Sequence, residues 1–129
     1  MLATGTFSVS LQPITAYAAD SQGTKQGRMS IDKEFFGDLK GLSIGEMLTA
    51  MTAIQGSAGY VAIEKVTGQL NGNRGSFVLQ HFGIMRGEES RLILEVVPDS
   101  GTDELTGLSG SMKISRDGGE HFYEFEFDI

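Results

Sequence analysis

The strongest constraint on the fold is an alternation of apolar and polar side chains with a period of two residues. Phe7, Val9 and Leu11 alternate with small polar residues up to Pro13, which is the pattern of a half-buried β-strand. Glycine, asparagine, aspartate or serine bounds each later segment of this kind, as is typical of turns between antiparallel strands. The predicted strands are Phe7–Leu11, Met29–Phe35, Tyr60–Leu70, Gly75–Arg86, Arg91–Val97, Leu108–Ser115 and Glu120–Asp128.

One segment, Ile44–Ile54, fits two structures. Met47, Met51 and Ile54 would share one face of a helix. Glycines around the segment and the strand-rich remainder of the chain favour a strand. About eight antiparallel strands, 18 glycines and no crossover helices predict an all-β closed barrel, formed as a single domain over residues 1–129. Closure removes the exposed strand edges that an open sheet would leave.

Two hairpins are predicted from their turns. Gly72 and Asn73 at the centre of the first turn place Glu64 opposite His81. Asp117 and Gly118 at the centre of the second make one apolar and one polar face. The pairs expected in addition are Tyr60 with Met85, Val66 with Leu79, Gly68 with Phe77, Ile114 with His121, Met112 with Tyr123, and Leu108 with Phe127.

The first hairpin differs from the second because both of its faces are apolar. Its outer face carries Val61, Ile63, Val78, Phe82 and Ile84. A strand pair that is apolar on both sides has to be covered twice, once by the core and once by another sheet, a subunit or a ligand.

Composition excludes several classes of protein. Ten Lys and Arg residues against 17 Asp and Glu residues give a net charge of −7, which repels phosphate backbones and argues against a nucleic-acid partner. The chain has no cysteine, hence no disulfide and no thiolate chemistry. No apolar run approaches the ~18 residues of a membrane span. The first six residues lack the features of a signal peptide, so a cytoplasmic location without membrane association is expected.

Glu64 and His81 form the sharpest candidate pair for chemistry. A carboxylate opposite an imidazole on one sheet face can fix the tautomer of the histidine or tune it as a general base. A buried ion pair with a purely structural role is the competing interpretation. His121 is the third catalytic candidate, although a lone histidine beside Tyr123 and Phe127 is more often a hydrogen-bonded core residue.

Other motifs are weaker. No spacing of histidines or carboxylates matches a metal site, and no phosphate-binding loop indicates a cofactor. The Ser100-Gly101-Thr102 cluster fits either an anion site or an ordinary turn, and the turn is favoured. Arg74 and Arg86 fit either a carboxylate clamp or two solvated side chains.

Six segments of the chain carry a further pattern: residues 36–41, 59–60, 64–72, 74–81, 98–105 and 119–123. Together and in this order, they resemble the DUF3224 family over nearly the whole chain. The resemblance implies a small bacterial protein of unknown function, with a barrel similar to those of allene oxide cyclase and dirigent proteins. Such a likeness carries over no catalytic residue. Where the family often has Ser-Gly-Thr-Gly-Glu-Leu, this chain has Asp103 in place of the second glycine, which adds charge and removes the residue best suited to a positive φ.

Two functions follow as hypotheses. In the first, the barrel binds a small apolar ligand with one polar group, anchored by Glu64 and His81, because a barrel of eight strands can hold one small ligand. In the second, the barrel is filled by its own side chains, and the outer face of the first hairpin joins copies of the chain into a homo-oligomer. The expected ligand-lining residues are Tyr60, Phe77, Leu79, Met85, Met112 and Tyr123.

Overall fold

The computed structural model of the protein describes residues 1–16 and 23–129. The predicted loop over residues 16–24 lies largely outside this part of the chain. Among the described residues the only helical element is the three-residue 3-10 helix η1, and no helix there is long and apolar enough to cross a membrane. The elements are β1 Leu2–Ile14, β2 Lys25–Gly37, β3 Leu39–Met51, β4 Ala58–Leu70, β5 Asn73–Arg86, β6 Glu89–Val96, η1 Asp103–Leu105, β7 Ser109–Asp117 and β8 Glu120–Asp128.

The eight strands form a closed antiparallel barrel in which each strand pairs with its neighbours in sequence, and β1 pairs with β8. The predicted all-β barrel is therefore confirmed, and the ambiguous segment Ile44–Ile54 belongs to strand β3 as far as Met51. Following paired residues once around the barrel from Pro13 leads back to β1 at Ala3, a stagger of ten residues. Strand number and stagger together set the tilt and width of a barrel.

Both predicted hairpin registers were wrong by two residues. Asn71 and Gly72, both with positive φ, occupy the first turn, so Glu64 pairs with Leu79 and His81 with Ala62. Gly118 and Gly119 occupy the second turn. Because side chains alternate with a period of two, a shift of two residues keeps every side chain on its predicted face. The other observed pairs are Ala58 with Met85, Val66 with Phe77, Gly68 with Gly75, Ile114 with Tyr123, Met112 with Phe125, and Gly110 with Phe127.

One end of the barrel is closed by packed side chains. We call the end where β1 begins the closed end and the opposite end the open end. At the closed end η1 inserts Leu105, which is 1% exposed, against Gly75, where a Cβ atom would lie 3.2 Å from the Leu105 side chain. The aromatic rings of Phe77, Phe125 and Phe127 stack in sequence with centroids 5.6 and 5.5 Å apart. The interior of this half is therefore a solid hydrophobic core.

A side-chain ladder attaches the segment before and within η1 to β5. The backbone N–H groups of alternate β5 residues donate to side chains of alternate residues in the segment. These bonds run from Val78 N to Ser100 Oγ at 3.0 Å, from Ser76 N to Thr102 Oγ1 at 2.9 Å, and from Arg74 N to Glu104 Oε1 at 2.9 Å. The ladder satisfies strand donors that have no backbone acceptor there.

Asp103 retains the backbone conformation that glycine favours. Its φ is +52°, and this is the position at which the resemblance to the family implies a glycine. Aspartate tolerates the left-handed region better than most side chains, but at some cost. The substitution therefore preserves the turn into η1 with a strained residue.

Candidate ligand site inside the barrel

A cluster of charged and polar side chains crosses the middle of the barrel. Glu64 Oε1 accepts hydrogen bonds from Lys33 Nζ at 3.0 Å and from His81 Nε2 at 2.7 Å. Glu64 Oε2 accepts a hydrogen bond from Ser43 Oγ at 2.5 Å. These four residues come from β4, β2, β5 and β3, and all are buried. Inward-facing positions on four strands thus converge on one carboxylate, with a cation beside it.

Hydrogen bonding and charge determine the ionisation of Glu64. Burial alone would raise the pKa of its carboxyl group, but a hydrogen bond from His81, the charge of Lys33 and a hydrogen bond from Ser43 outweigh that effect. Together they lower the pKa of Glu64 to about 2. The carboxylate is therefore ionised at neutral pH, and Lys33 balances its charge inside the barrel.

The hydrogen bonds also assign the tautomer of His81. A carboxylate oxygen only accepts, so His81 Nε2 carries the proton donated to Glu64. In the neutral imidazole Nδ1 is then an acceptor, and it lies 3.4 Å from the hydroxyl of Tyr60. Burial, and next the charge of Glu64, raise the pKa of the Tyr60 hydroxyl to about 12, so this group is a protonated donor. The result is a relay from Tyr60 through His81 to Glu64.

Glycine at position 83 makes room for Tyr60. Gly83 pairs with Tyr60 across β4 and β5, and a Cβ atom at Gly83 would lie 2.3 Å from the tyrosine ring. The ring thus lies over the glycine and meets the His81 ring edge-on, with centroids 6.1 Å apart. The missing side chain keeps the hydroxyl close to His81.

Beyond this charged layer, the inward-facing side chains become accessible toward the open end. Leu11 is 42% exposed and Leu92 is 38% exposed, although both point inward by the alternation of their strands. The remaining side chains of this half are mostly apolar, flexible methionines included, and are partly buried. We call these inward-facing residues the mouth: Val9, Leu11, Met29, Met47, Tyr60, Met85, Leu92, Ile114 and His121.

The structure divides the six predicted lining residues between the two halves of the barrel. Tyr60 and Met85 belong to the mouth. The other four are fully buried in the closed-end core, where Tyr123 donates from its hydroxyl to the carbonyl of Phe36 at 2.9 Å and accepts from the N–H of Leu39. The core members are Phe77, Leu79, Met112 and Tyr123.

The two histidines do not form one site. His121 stacks on Phe7 with ring centroids 5.1 Å apart, and Lys33 Nζ lies 4.9 Å from the centroid of the same Phe7 ring. Phe7 and Lys33 thus lie between His121 and the carboxylate that binds His81. His121 borders the mouth as an aromatic wall.

Two weaker sequence hypotheses are wrong. Arg74 and Arg86 begin and end the same strand, twelve residues apart, which is about 40 Å and too far to clamp one carboxylate. The hydroxyls of Ser100 and Thr102 bind strand N–H groups, so they serve a structural turn and leave no anion site. Among the described residues, no three potential ligand side chains gather in an arrangement that could hold a metal ion.

Sequence reasoning missed Lys33 and Ser43. Every second side chain of β2 points into the barrel, and Lys33 lies between Ile31 and Phe35 in this alternation. The pattern therefore predicts a cation inside the barrel. Ser43 pairs with Lys33 across β2 and β3. A polar residue at an inward position was the available signal, because a buried charge requires a partner.

Comparisons with known proteins agree with this fold. The family model described as "Protein of unknown function (DUF3224)" matches residues 3–127. The chain is similar to a crystal structure of a protein with unknown function from the DUF3224 family of Shewanella oneidensis MR-1, with 59% sequence identity and a TM-score of 0.98. The alignment covers 100% of this chain and 96% of that one. No curated protein matches the chain.

Proposed function

The chain belongs to the DUF3224 family, and we propose that this member binds one small, largely apolar molecule in the mouth of its barrel. The observation that supports this proposal is the accessibility of inward-facing side chains such as Leu11 and Leu92 above a buried polar layer. Apolar walls with a few convergent polar groups are the usual composition of small-molecule sites. The three methionines of the mouth adapt their shape to a ligand readily.

Two neighbouring residues of β3 provide a matched test. Met47 points into the barrel and Leu48 points outward, where it is 55% exposed. The probe is N-phenyl-1-naphthylamine, an uncharged molecule whose fluorescence rises in apolar surroundings. We expect the wild type and Leu48→Glu to bind it and Met47→Glu to lose at least tenfold in affinity, because the new carboxylate would be desolvated on binding.

The reverse result would overturn the proposal. If Leu48→Glu alone abolished binding, the probe would occupy the outer surface of the barrel. Native mass spectrometry of protein purified from its own host complements this experiment. A small mass released on denaturation would identify the natural ligand.

We propose as a second function that the outer face of the barrel joins two copies of the chain. Four paired residues, one on each of β3 to β6, form an apolar stripe on the outside and are 38–55% exposed. Exposed apolar patches of this continuity are typical of interaction sites. The stripe consists of Leu48, Val61, Phe82 and Ile93.

The charges beside the stripe favour a second copy as its occupant. Glu95 lies two residues along β6 from Ile93 on one side of the stripe, and Arg91 lies two residues along on the other side. Glu46, on the same side as Glu95, is paired with Arg28. A twofold axis along the stripe would bring the acidic side of one copy against the basic side of the other. Light scattering after size exclusion tests this: we expect a dimer for the wild type and Met47→Glu, and a monomer of 13.9 kDa for Leu48→Glu. A monomeric wild type at high concentration would overturn it.

A further inference from the structure

The donors and acceptors at the base of the mouth define the polar group of the ligand. Both oxygens of Glu64 are occupied by three donors, and the residue is fully buried. Ser43 and Lys33 direct their donors to the same carboxylate. Glu64 is therefore fully hydrogen-bonded within the protein and is not available to a ligand.

The weakest hydrogen bond of the cluster lies between Tyr60 and His81. The Tyr60 hydroxyl and His81 Nδ1 are 3.4 Å apart, at the limit of a hydrogen bond and well beyond the usual distance of about 2.8 Å. Tyr60 is partly exposed and belongs to the mouth, whereas Glu64 lies on the other side of His81. The Lys33 ammonium is held by Glu64 and lies 4.9 and 5.8 Å from the centroids of the Phe7 and Phe35 rings. The Tyr60 hydroxyl and His81 Nδ1 are thus the pair whose hydrogen bond a partner from the mouth can still improve.

We infer that the ligand carries a hydroxyl group, as an alcohol or a phenol, which bridges Tyr60 and His81 Nδ1. This inference rests on the proposed binding function. An oxygen about 2.8 Å from each atom completes a triangle with the 3.4 Å separation as its base. The ligand oxygen accepts a hydrogen bond from Tyr60, and its own proton is donated to His81 Nδ1.

Other polar groups satisfy only part of this arrangement. A carbonyl or an ether oxygen accepts from Tyr60 but leaves His81 Nδ1 without a stronger donor. A carboxylate also lacks a donor for His81 Nδ1, and its negative charge would be repelled by Glu64. An ammonium group donates to Nδ1 but cannot accept from the Tyr60 hydroxyl proton. A hydroxyl group is both donor and acceptor, so it pairs with both atoms. A ligand with another polar group leaves one buried polar atom unpaired, and we expect it to bind much more weakly.

A pair of matched probes tests this inference. 4-Pentylphenol and 4-pentylanisole share an apolar body, but only the phenol has a proton to donate. Isothermal titration calorimetry should show the phenol binding at least tenfold more tightly than the ether to the wild type. Tyr60→Phe retains the ring over Gly83 but removes the donor to the ligand oxygen, so this variant should weaken the binding of both probes by a similar factor and leave the preference for the phenol in place.

Leu48→Glu is the control, since it changes the outer face of the barrel and should leave the affinity for both probes unchanged. The phenol preference should survive in this variant. Two-dimensional ¹H–¹⁵N spectra of the imidazoles should show a shift of His81 Nδ1 on addition of the phenol and a smaller one with the ether.

The outcomes distinguish the hydroxyl bridge from the proposed binding of an apolar ligand in the mouth. Equal affinities for both probes would overturn the hydroxyl bridge and leave an apolar binding site. Binding of N-phenyl-1-naphthylamine without binding of either pentyl probe would also overturn the bridge. If none of the three probes bound in a manner sensitive to Met47→Glu, the proposed function itself would fail, and the bridge with it.

Discussion

The two halves of the barrel are built from the same eight strands but have opposite interiors. At the closed end, inward-facing residues such as Ala3 and Leu70 are completely inaccessible and belong to one continuous core. At the open end, residues at equivalent inward positions retain up to about two fifths of their exposure, as Leu11 shows. The charged cluster around Glu64 separates the two halves.

This difference indicates how one small domain combines stability with an accessible interior. Burial of the aromatic and aliphatic side chains of the closed half stabilises the fold, since each removes apolar area from water. The charges of the polar layer are satisfied by one another and do not require a ligand. We therefore expect substitutions in the closed half to affect folding and substitutions in the mouth to affect binding.

The largest expected effect is a contrast between Phe125→Ala and Met29→Ala. Phe125 is fully buried between Phe77 and Phe127, so its truncation should lower the free energy of unfolding by about 3–5 kcal/mol. Met29 faces the mouth and is only partly buried, so its truncation should cost about 1 kcal/mol or less. Urea denaturation of both variants measures this contrast. Equal losses would contradict the division into two halves.

The charged layer should make folding sensitive to acid. The pKa of Glu64 is lowered from 4.5 to about 2 in the folded protein. Its contribution to stability is therefore present above pH 4.5 and is lost as the pH falls toward about 2, a change on the order of 3 kcal/mol. Unfolding free energies measured across this range should fall for the wild type, and Glu64→Gln should remove that part of the slope.

Glu46 supplies the control for the acid experiment. It is exposed and pairs with Arg28 on the outside of the barrel, so Glu46→Gln should leave the pH dependence almost unchanged. Because Glu64→Gln leaves Lys33 without its counter-charge, its overall stability should also drop at neutral pH. Parallel slopes for wild type and Glu64→Gln would show that Glu64 is not the titrating group.

A smaller effect is expected in the ladder that holds the closed end. Thr102→Val keeps the shape of the side chain but removes the acceptor for Ser76 N–H, and should cost about 1–2 kcal/mol. Amide hydrogen exchange should accelerate at Ser76. Thr106→Val is the reference, because that hydroxyl is exposed and donates to the carbonyl of Asp103 within η1. If both variants behaved alike, the ladder would contribute no specific stability.

The smallest effect, and one of opposite sign, is expected at Asp103. Because its φ is +52°, Asp103→Gly should relieve strain and stabilise the protein by up to about 1 kcal/mol. Asp117 ends β7 in extended conformation, so Asp117→Gly should destabilise by a similar amount. Thermal unfolding of the two variants gives the comparison. A shift in the same direction for both would contradict the argument from backbone strain.

Alternation of side chains was sufficient to predict the barrel and the two faces of each hairpin. Glu64 and His81 were predicted as a pair from an incorrect register, and they do interact, because their long side chains meet diagonally across the paired strands. The alternating pattern also contained Lys33, but a single lysine among apolar residues was not recognised as part of the site. The similarity to the barrel of allene oxide cyclase stays a prediction.

The division of the barrel into a closed and an open half could not be predicted from the sequence. Inward-facing residues look alike along a strand, and Phe77 and Met85 occupy the same face of β5. The position of the segment around η1 determines which of the two side chains is buried. That position depends on contacts of Leu105 with residues distant in sequence. Four of the six expected lining residues therefore belong to the core.

The order of the strands has a consequence for the route by which the barrel forms. Seven of its ladders join strands that are adjacent in sequence, whereas the ladder of β1 with β8 pairs Leu2 with Glu126, 124 positions apart. Closing so long a loop carries the largest entropic cost, and contacts distant in sequence slow folding. The start of β1 lies next to the end of β8, so a short linker joining them, with the chain reopened between Gly118 and Gly119, would make this final step local. Such a circular permutant should keep the fold and close its barrel between β7 and β8. Which ladder forms last would then depend on how the strands are connected and not on the shape of the barrel.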